Sequence, residues 1–245
     1  MSNAAAILAR YPKSRPPLPA EYQRIYEREY KMNREGGSFI TSLSSRLESW
    51  MHRRVADAPA GDVLEIGAGT LNQLHYESSQ PRYDVIEPFA ALFEDSPALD
   101  RVDTVYADIA EVPRDRRYGR ITSVAVLEHL DDLPGIVARS ALLLRDGGIF
   151  QAGIPSEGGL LWSLAWHTTT GVAYWLRNRL DYGVLMRHEH LNTAAEIEAV
   201  VRTFFGDVKI ARFPLPLRHL SFYSYLEARN PDRKQAHAFL DGRRS

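Results

Sequence analysis

Cysteine is missing from all 245 residues of this chain. Its absence excludes a disulfide framework, a thiolate metal site and a cysteine nucleophile. An excess of either charge is missing too: 30 Lys and Arg face 31 Asp and Glu, for a formal net charge of −1. An extended nucleic-acid footprint normally shows as a net basic domain or stripe, so no nucleic-acid partner is expected. Long apolar runs are also lacking. The nearest, residues 158–176, is broken by His167 and three threonines and falls short of the roughly 20 apolar residues of a membrane span. The first ten residues carry a short apolar patch with no basic stretch before it, which argues against a secretory leader and for a cytoplasmic setting. What remains is 44% hydrophobic and 25% charged, enough for one core with an appended cap.

The chain is organised around Val63, Leu64, Glu65, Ile66, Gly67, Ala68 and Gly69. Three apolar residues around one carboxylate read as a buried central strand, and the glycines after it allow a tight turn close to a ligand. Burying Glu65 is costly unless it is hydrogen-bonded or meets that ligand. A nicotinamide fingerprint would need a small residue where Asn72 stands, and a phosphate-binding loop would need a Gly-Lys-Ser/Thr that is lacking. Further along, Tyr83 to Glu87 gives a second strand ending in an acid, where dinucleotide-type folds hold ribose hydroxyls. A third strand leads into Ala107, Asp108 and Ile109, and a fourth into Leu127, Glu128, His129 and Leu130.

Together these four stretches resemble the class I S-adenosylmethionine (SAM) dependent methyltransferases. Glu65, Gly67 and Gly69 match the family's E/D-x-G-x-G-x-G loop, which departs from the pattern at Leu71 in the place of the third glycine. The resemblance implies a Rossmann-like seven-stranded α/β sheet, doubly wound and mostly parallel, with an antiparallel last strand and helices on both faces. It implies SAM as cofactor, held by Glu65, Gly67, Ala68, Gly69, Glu87, Asp108, Ile109 and Leu127. The Leu-Glu-His run after strand four is similar to that of many small-molecule methyltransferases, and the segment Arg187 to Thr193 resembles the one leading into their following helix. The N/D-P-P-Y/F run of enzymes that methylate bases or amides is replaced by Ala125, Val126, Leu127 and Glu128, which disfavours those acceptors.

In chain order, residues 1–60 read as a helical lead-in or lid, with four prolines in an extended, poorly packed stretch at 11–20. Tyr22, Tyr26 and Tyr30 recur every four residues, a stripe that either packs on the sheet edge or covers the site. Residues 61–155 alternate strand and helix and form the SAM-binding core. Helical spacing from Leu133 to Leu144 is stopped by Gly147 and Gly148, and strand five follows. Residues 156–192, with three of the four tryptophans, form an aromatic-rich cap over the strand ends. That cap lines an acceptor pocket, buries tryptophan against the sheet or touches a membrane surface peripherally. Thr193 and Glu196 set a capping box opening residues 193–230, the C-terminal part of the core, and residues 231–245 read as a polar, frayed tail.

The expected chemistry is methyl transfer to a small-molecule or lipid-linked acceptor, at a hydroxyl oxygen of a sugar or other metabolite. A general base helps such a step, and histidine has the suitable pKa. His129 is the first candidate, with His188 and His190 beside it. A metal is not implied: His-x-His lacks a third ligand at recognisable spacing, and Ala125 stands where the quinone-biosynthesis methyltransferases carry the first acid of their metal motif. The other functional reading is a non-catalytic SAM-binding or assembly subunit whose tryptophan-rich cap docks a partner, with Leu71 as its sequence support.

Overall fold

The computed structural model describes residues 3–25 and 42–243. The stripe positions Tyr26 and Tyr30 and the turn expected at 34–38 lie outside the described residues. Seven strands form one sheet: β1 (Val63–Ile66), β2 (Tyr83–Ile86), β3 (Thr104–Tyr106), β4 (Tyr118–Val124), β5 (Leu144–Pro155), β6 (Phe205–Pro214) and β7 (Ser221–Pro231). Their order is β3-β2-β1-β4-β5-β7-β6. The first five pair in parallel, while β7 runs antiparallel to both β5 and β6. This is the doubly wound, mostly parallel architecture expected, with strand order reversing beside β1.

Burial follows the strand period. Leu64 and Ile66 enter the larger core with Ile121, Phe150 and Leu226, whereas Val63 points to a second cluster with Leu74, Tyr83 and Phe93. Both faces of β1 are therefore covered, which is why its residues form a continuous buried run. The helix Ala194–Phe204 opens on the expected capping box: the Thr193 hydroxyl accepts from Glu196 N–H, and the Glu196 carboxylate accepts from Thr193 N–H. The helix Leu133–Leu143 stops before the glycines. The chain is already extended at Leu144, and Arg145 to Gly148 loop out between the β4 partners of Leu144 and Ile149.

Two expectations need correcting. The stretch 11–20 is extended and largely exposed but not unanchored: Tyr11 is buried and its hydroxyl donates to Asn192 Oδ1 at 2.8 Å, while Lys13 Nζ donates to Leu191 O at 2.7 Å. The tail past Pro231 is not frayed but forms a helix, Arg233–Asp241, which buries Ala236 and sets Phe239 edge-on to Phe204. Its few apolar residues recur at helical spacing inside a polar segment, so composition hides them. Among the described residues no helix is long and apolar enough to cross a membrane.

Candidate active site

The glycine loop leaves β1 at its carboxyl end and turns in the left-handed region three times, at Gly67 (φ +71°), Gly69 (φ +52°) and Leu71 (φ +63°). A Cβ on Gly67 would lie 2.4 Å from Val126 Cγ2, so only glycine lets the loop close against the end of β4. Leu71 adopts a left-handed conformation that favours glycine and is fully buried in the second core cluster. That packing holds a conformation costing an ordinary residue roughly 1–2 kcal/mol.

Glu87, at the end of β2, holds the loop from the neighbouring strand. One carboxylate oxygen accepts from Gly69 N–H at 2.9 Å and the other from Phe89 N–H at 3.0 Å. Asp108 is exposed after β3 and accepts from Ala110 N–H at 2.7 Å, and the adjacent Ile109 is buried. Ala68 and Leu127 are buried, the latter within the core below the end of β4. Glu65 is buried as well, and its carboxylate accepts the Tyr83 hydroxyl at 2.8 Å. Burial pushes its pKa up to about 8, the Tyr83 hydrogen bond opposes the rise, and Glu77 and Glu87 add to it.

Beyond Val124, Ala125 takes φ +55° and the chain makes a short turn, Leu127–His129. A non-glycine residue in that conformation is uncommon and clusters at functional sites. His129 Nδ1 lies 2.9 Å from the Glu189 carbonyl, which can only accept, so this nitrogen carries the proton and Nε2 is the basic atom. The His190 ring meets it edge-on, with centroids 4.9 Å apart, and His190 Nδ1 pairs with Glu157 Oε2 at 3.0 Å. Burial, the largest single influence on His190, favours the neutral ring. The hydrogen bond to Glu157 and the charges of Glu128, Glu157 and Glu189 together outweigh it, so the pKa is raised above the ordinary 6.5. His188 turns away to Pro16 O at 2.7 Å. Two of the three candidate histidines thus meet, and the third faces the lead-in.

Several residues of this cluster were not singled out from the sequence. Glu157 also accepts from Trp162 Nε1 at 2.6 Å, tying the cap to His190. Glu128 is buried, with Oε1 3.8 Å from His129 Nε2 and with Oε2 lacking a partner. Asn192 donates to Leu127 O and Leu130 O, and Arg15 donates to His129 O, so distant segments hold the turn. Spacing carries no signal for such pairings. Among the described residues no group of three or more His, Asp or Glu side chains could hold a metal ion. A small cavity lined by Gly61, Gly119, Arg145 and Arg229 opens at the amino ends of β1 and β4, away from the glycine loop.

A seven-stranded sheet of this order, with a glycine loop after β1 and an acid ending β2, is the fold of class I SAM-dependent methyltransferases. The N-methyltransferase NodS from Bradyrhizobium japonicum, solved with S-adenosyl-L-homocysteine, is similar at a TM-score of 0.53 and 13% identity, over 94% of this chain and 100% of that one. A SAM-dependent methyltransferase from Thermotoga maritima matches at 0.50 and 16%, over 75% and 94%. An O-methyltransferase family protein from Burkholderia thailandensis matches at 0.50 and 14%, over 76% and 56%. No curated protein matches the chain. A family model described as a methyltransferase domain matches residues 39–198, and the chain belongs to that family. Its cofactor is SAM. The residues present fit that group: a Cβ on Gly69 would meet nothing within 4 Å, so the loop leaves open space there, and the Glu87 carboxylate stands beside the loop's amides.

Proposed function

We propose that the protein methylates a hydroxyl oxygen of a small-molecule or lipid-linked acceptor, with His190 as the base. The observation that carries this reading is the Glu157–His190 pair, edge-on to His129, at the carboxyl ends of β4 and β5. Bound SAM supplies an electrophilic methyl group on sulfur. The chain positions the acceptor and takes its proton. Glu157 accepts from His190 Nδ1–H, which leaves Nε2 free to receive the acceptor proton and stabilises the imidazolium that results. His129 Nε2 presents a second basic atom, and the unpartnered Glu128 Oε2 is suited to accept a further acceptor hydroxyl. In the same reading Glu87 serves the ribose, Asp108 and Ile109 the adenine edge, and Gly67, Ala68, Gly69 and Leu127 the walls, while Glu65 braces β1 against Tyr83.

An amine acceptor is the second reading, favoured by the carboxylates of Glu128, Glu157 and Glu189 around the two rings. NodS is an N-methyltransferase, and the Burkholderia protein belongs to an O-methyltransferase family. Labelled SAM tested against sugars, phenols and primary amines separates the two. Label recovered in an acid-stable ether supports hydroxyl transfer; label found only as a methylamine overturns it. With the acceptor in hand, turnover should rise with pH through a value above 6.5, because His190 must be neutral to act. His190→Gln should cut kcat by about a hundredfold with unchanged affinity for S-adenosylhomocysteine. Glu157→Gln should move the rising limb to lower pH by removing the charge that lifts it. A profile indifferent to both substitutions removes His190 from the chemistry.

A further inference from the structure

The cap carries a surface unlike the rest of the molecule. A helix Leu160–Trp166 continues through a π turn, His167–Gly171, into Val172–Asn178. Leu160, Leu164, Trp175 and Leu176 are 70%, 61%, 51% and 59% exposed, and Val172 is exposed beside them. A π turn takes up about one extra residue. Subtracting that residue puts Val172, Trp175 and Leu176 at offsets of roughly 11, 14 and 15 from Leu160, with Leu164 at four. At 3.6 residues per turn all five fall within a stripe about 100° wide. In an uninterrupted α-helix, offsets of 12 and 16 would swing Val172 and Leu176 off that face, so the wide turn is what aligns them.

Three polar side chains of the helix bond to its own backbone. Thr168 Oγ1 donates to Leu164 O at 2.8 Å, Thr169 Oγ1 donates to Ala165 O at 2.7 Å, and His167 Nδ1 lies 2.6 Å from Ser163 O. Beside the start of the helix packs the turn Arg218–Leu220, within a loop whose Leu215, Leu217 and Leu220 are also exposed. Charge in both segments has one sign. Residues 158–180 and 208–226 contain no Asp or Glu, although the whole chain has 31, and they carry Arg177, Arg179, Arg218 and Lys209, with Arg212 turned instead to Glu198 at 2.6 Å. Arg179 lies over the Trp175 ring at 4.7 Å, an aromatic and a cation at one edge of the stripe.

We infer that this face, the Leu160–Leu176 stripe with the Leu215–Leu220 loop, docks on an anionic lipid bilayer. An apolar helix face edged by arginine and free of acids is the pattern that lies in a membrane interface, where headgroup phosphates neutralise the guanidinium groups. A second copy of the chain fits less well, because a two-fold contact would set this all-basic face against itself. The stripe borders the site: Trp162, between Leu160 and Leu164, donates to the Glu157 carboxylate that holds His190. Docking there would present the acceptor side to the bilayer, so the inference rests on the proposed site for its purpose and not for its test.

Flotation of the full chain with vesicles, without SAM or acceptor, provides that test. Phosphatidylcholine vesicles containing phosphatidylglycerol should carry the protein, and phosphatidylcholine alone should carry at least about tenfold less. Leu164→Asp with Leu176→Asp should reduce the bound fraction by about tenfold or more, and Leu217→Asp with Leu220→Asp should do so independently. Affinity for S-adenosylhomocysteine, measured on each variant, reports an intact core and stands or falls separately from lipid binding. No flotation with either vesicle overturns the inference. So does light scattering that shows a dimer made monomeric by Leu164→Asp, since the face would then belong to a second copy.

Discussion

Glu65 shows how a motif acid can be bound to the sheet as well as to the motif. It faces Tyr83 from the interior of a four-residue strand, and burial lifts its pKa to about 8. Between the ordinary 4.5 and that value folded Glu65 holds a proton that it has lost in the unfolded chain, so its contribution to stability falls as pH rises through this window. The slope is about 1.4 kcal/mol per pH unit where the difference is complete. Glu65→Gln keeps an oxygen for the Tyr83 hydroxyl and cannot titrate. Its unfolding free energy, measured by denaturant between pH 5 and 8, should decline less steeply than the parent's; parallel declines would show that Glu65 does not carry the dependence. Leu71 makes the complementary point. Its burial holds leucine in the left-handed conformation that glycine would take without strain. Gly67, Gly69 and Glu87 were legible because a tight loop needs those residue types at fixed spacing. Glu157 was not, because its partners come from residues 162 and 190 across a turn.

At the level of elements, the glycine loop is braced from beneath by a buried polar network. Arg120 on β4 donates to both Glu77 oxygens, at 2.8 and 3.0 Å, and to Val55 O in the helix Ser42–Ala56. Its Nε reaches Gln151 on β5, while Gln73, two residues after Leu71, donates to the same Glu77 and pairs with His52. Strand, helix and loop are thereby held in one register. Removing one member of a buried pair strands a charge, so Glu77→Ala should cost about 3–5 kcal/mol, whereas Glu77→Leu with Arg120→Met should recover most of that loss. Equilibrium unfolding of the three proteins decides it; a double variant as unstable as the single one would mean that the hydrogen bonds to Val55 and Gln151 matter more than the charges. Strand existence and order were legible from apolar runs broken by turn residues. Strand ends were not: β5, β6 and β7 all extend past their apolar cores, because pairing with a neighbour satisfies the backbone of polar residues there.

Across the whole molecule, both ends of the described chain fold back onto the same side of the sheet. The first helix, Asn3–Leu8, packs on Ala194–Phe204, and Tyr11 reaches Asn192, 181 positions away. The last helix, Arg233–Asp241, packs on Leu133–Leu143 and covers Phe204, while Arg233 donates to Leu144 O and pairs with Asp146. Contacts this remote in sequence leave no periodic trace, which is why a polar composition suggested fraying where the fold places a packed element. Ending the chain after Pro231 would uncover Phe204 and strand Leu144 O. Exposing one aromatic side chain alone forfeits about 1.5–3 kcal/mol. For a domain of this length each kcal/mol lowers the melting temperature by roughly 2–4 °C, so a fall of at least about 3 °C is expected on truncation. The glycine loop makes none of these contacts, and the truncated protein should bind S-adenosylhomocysteine with parent affinity below its transition. An unchanged melting temperature would show that the helix adds nothing to the core. A large loss of cofactor affinity in a protein that still melts cooperatively would instead couple this helix to the carboxyl ends of the strands, a link that the observed packing does not make.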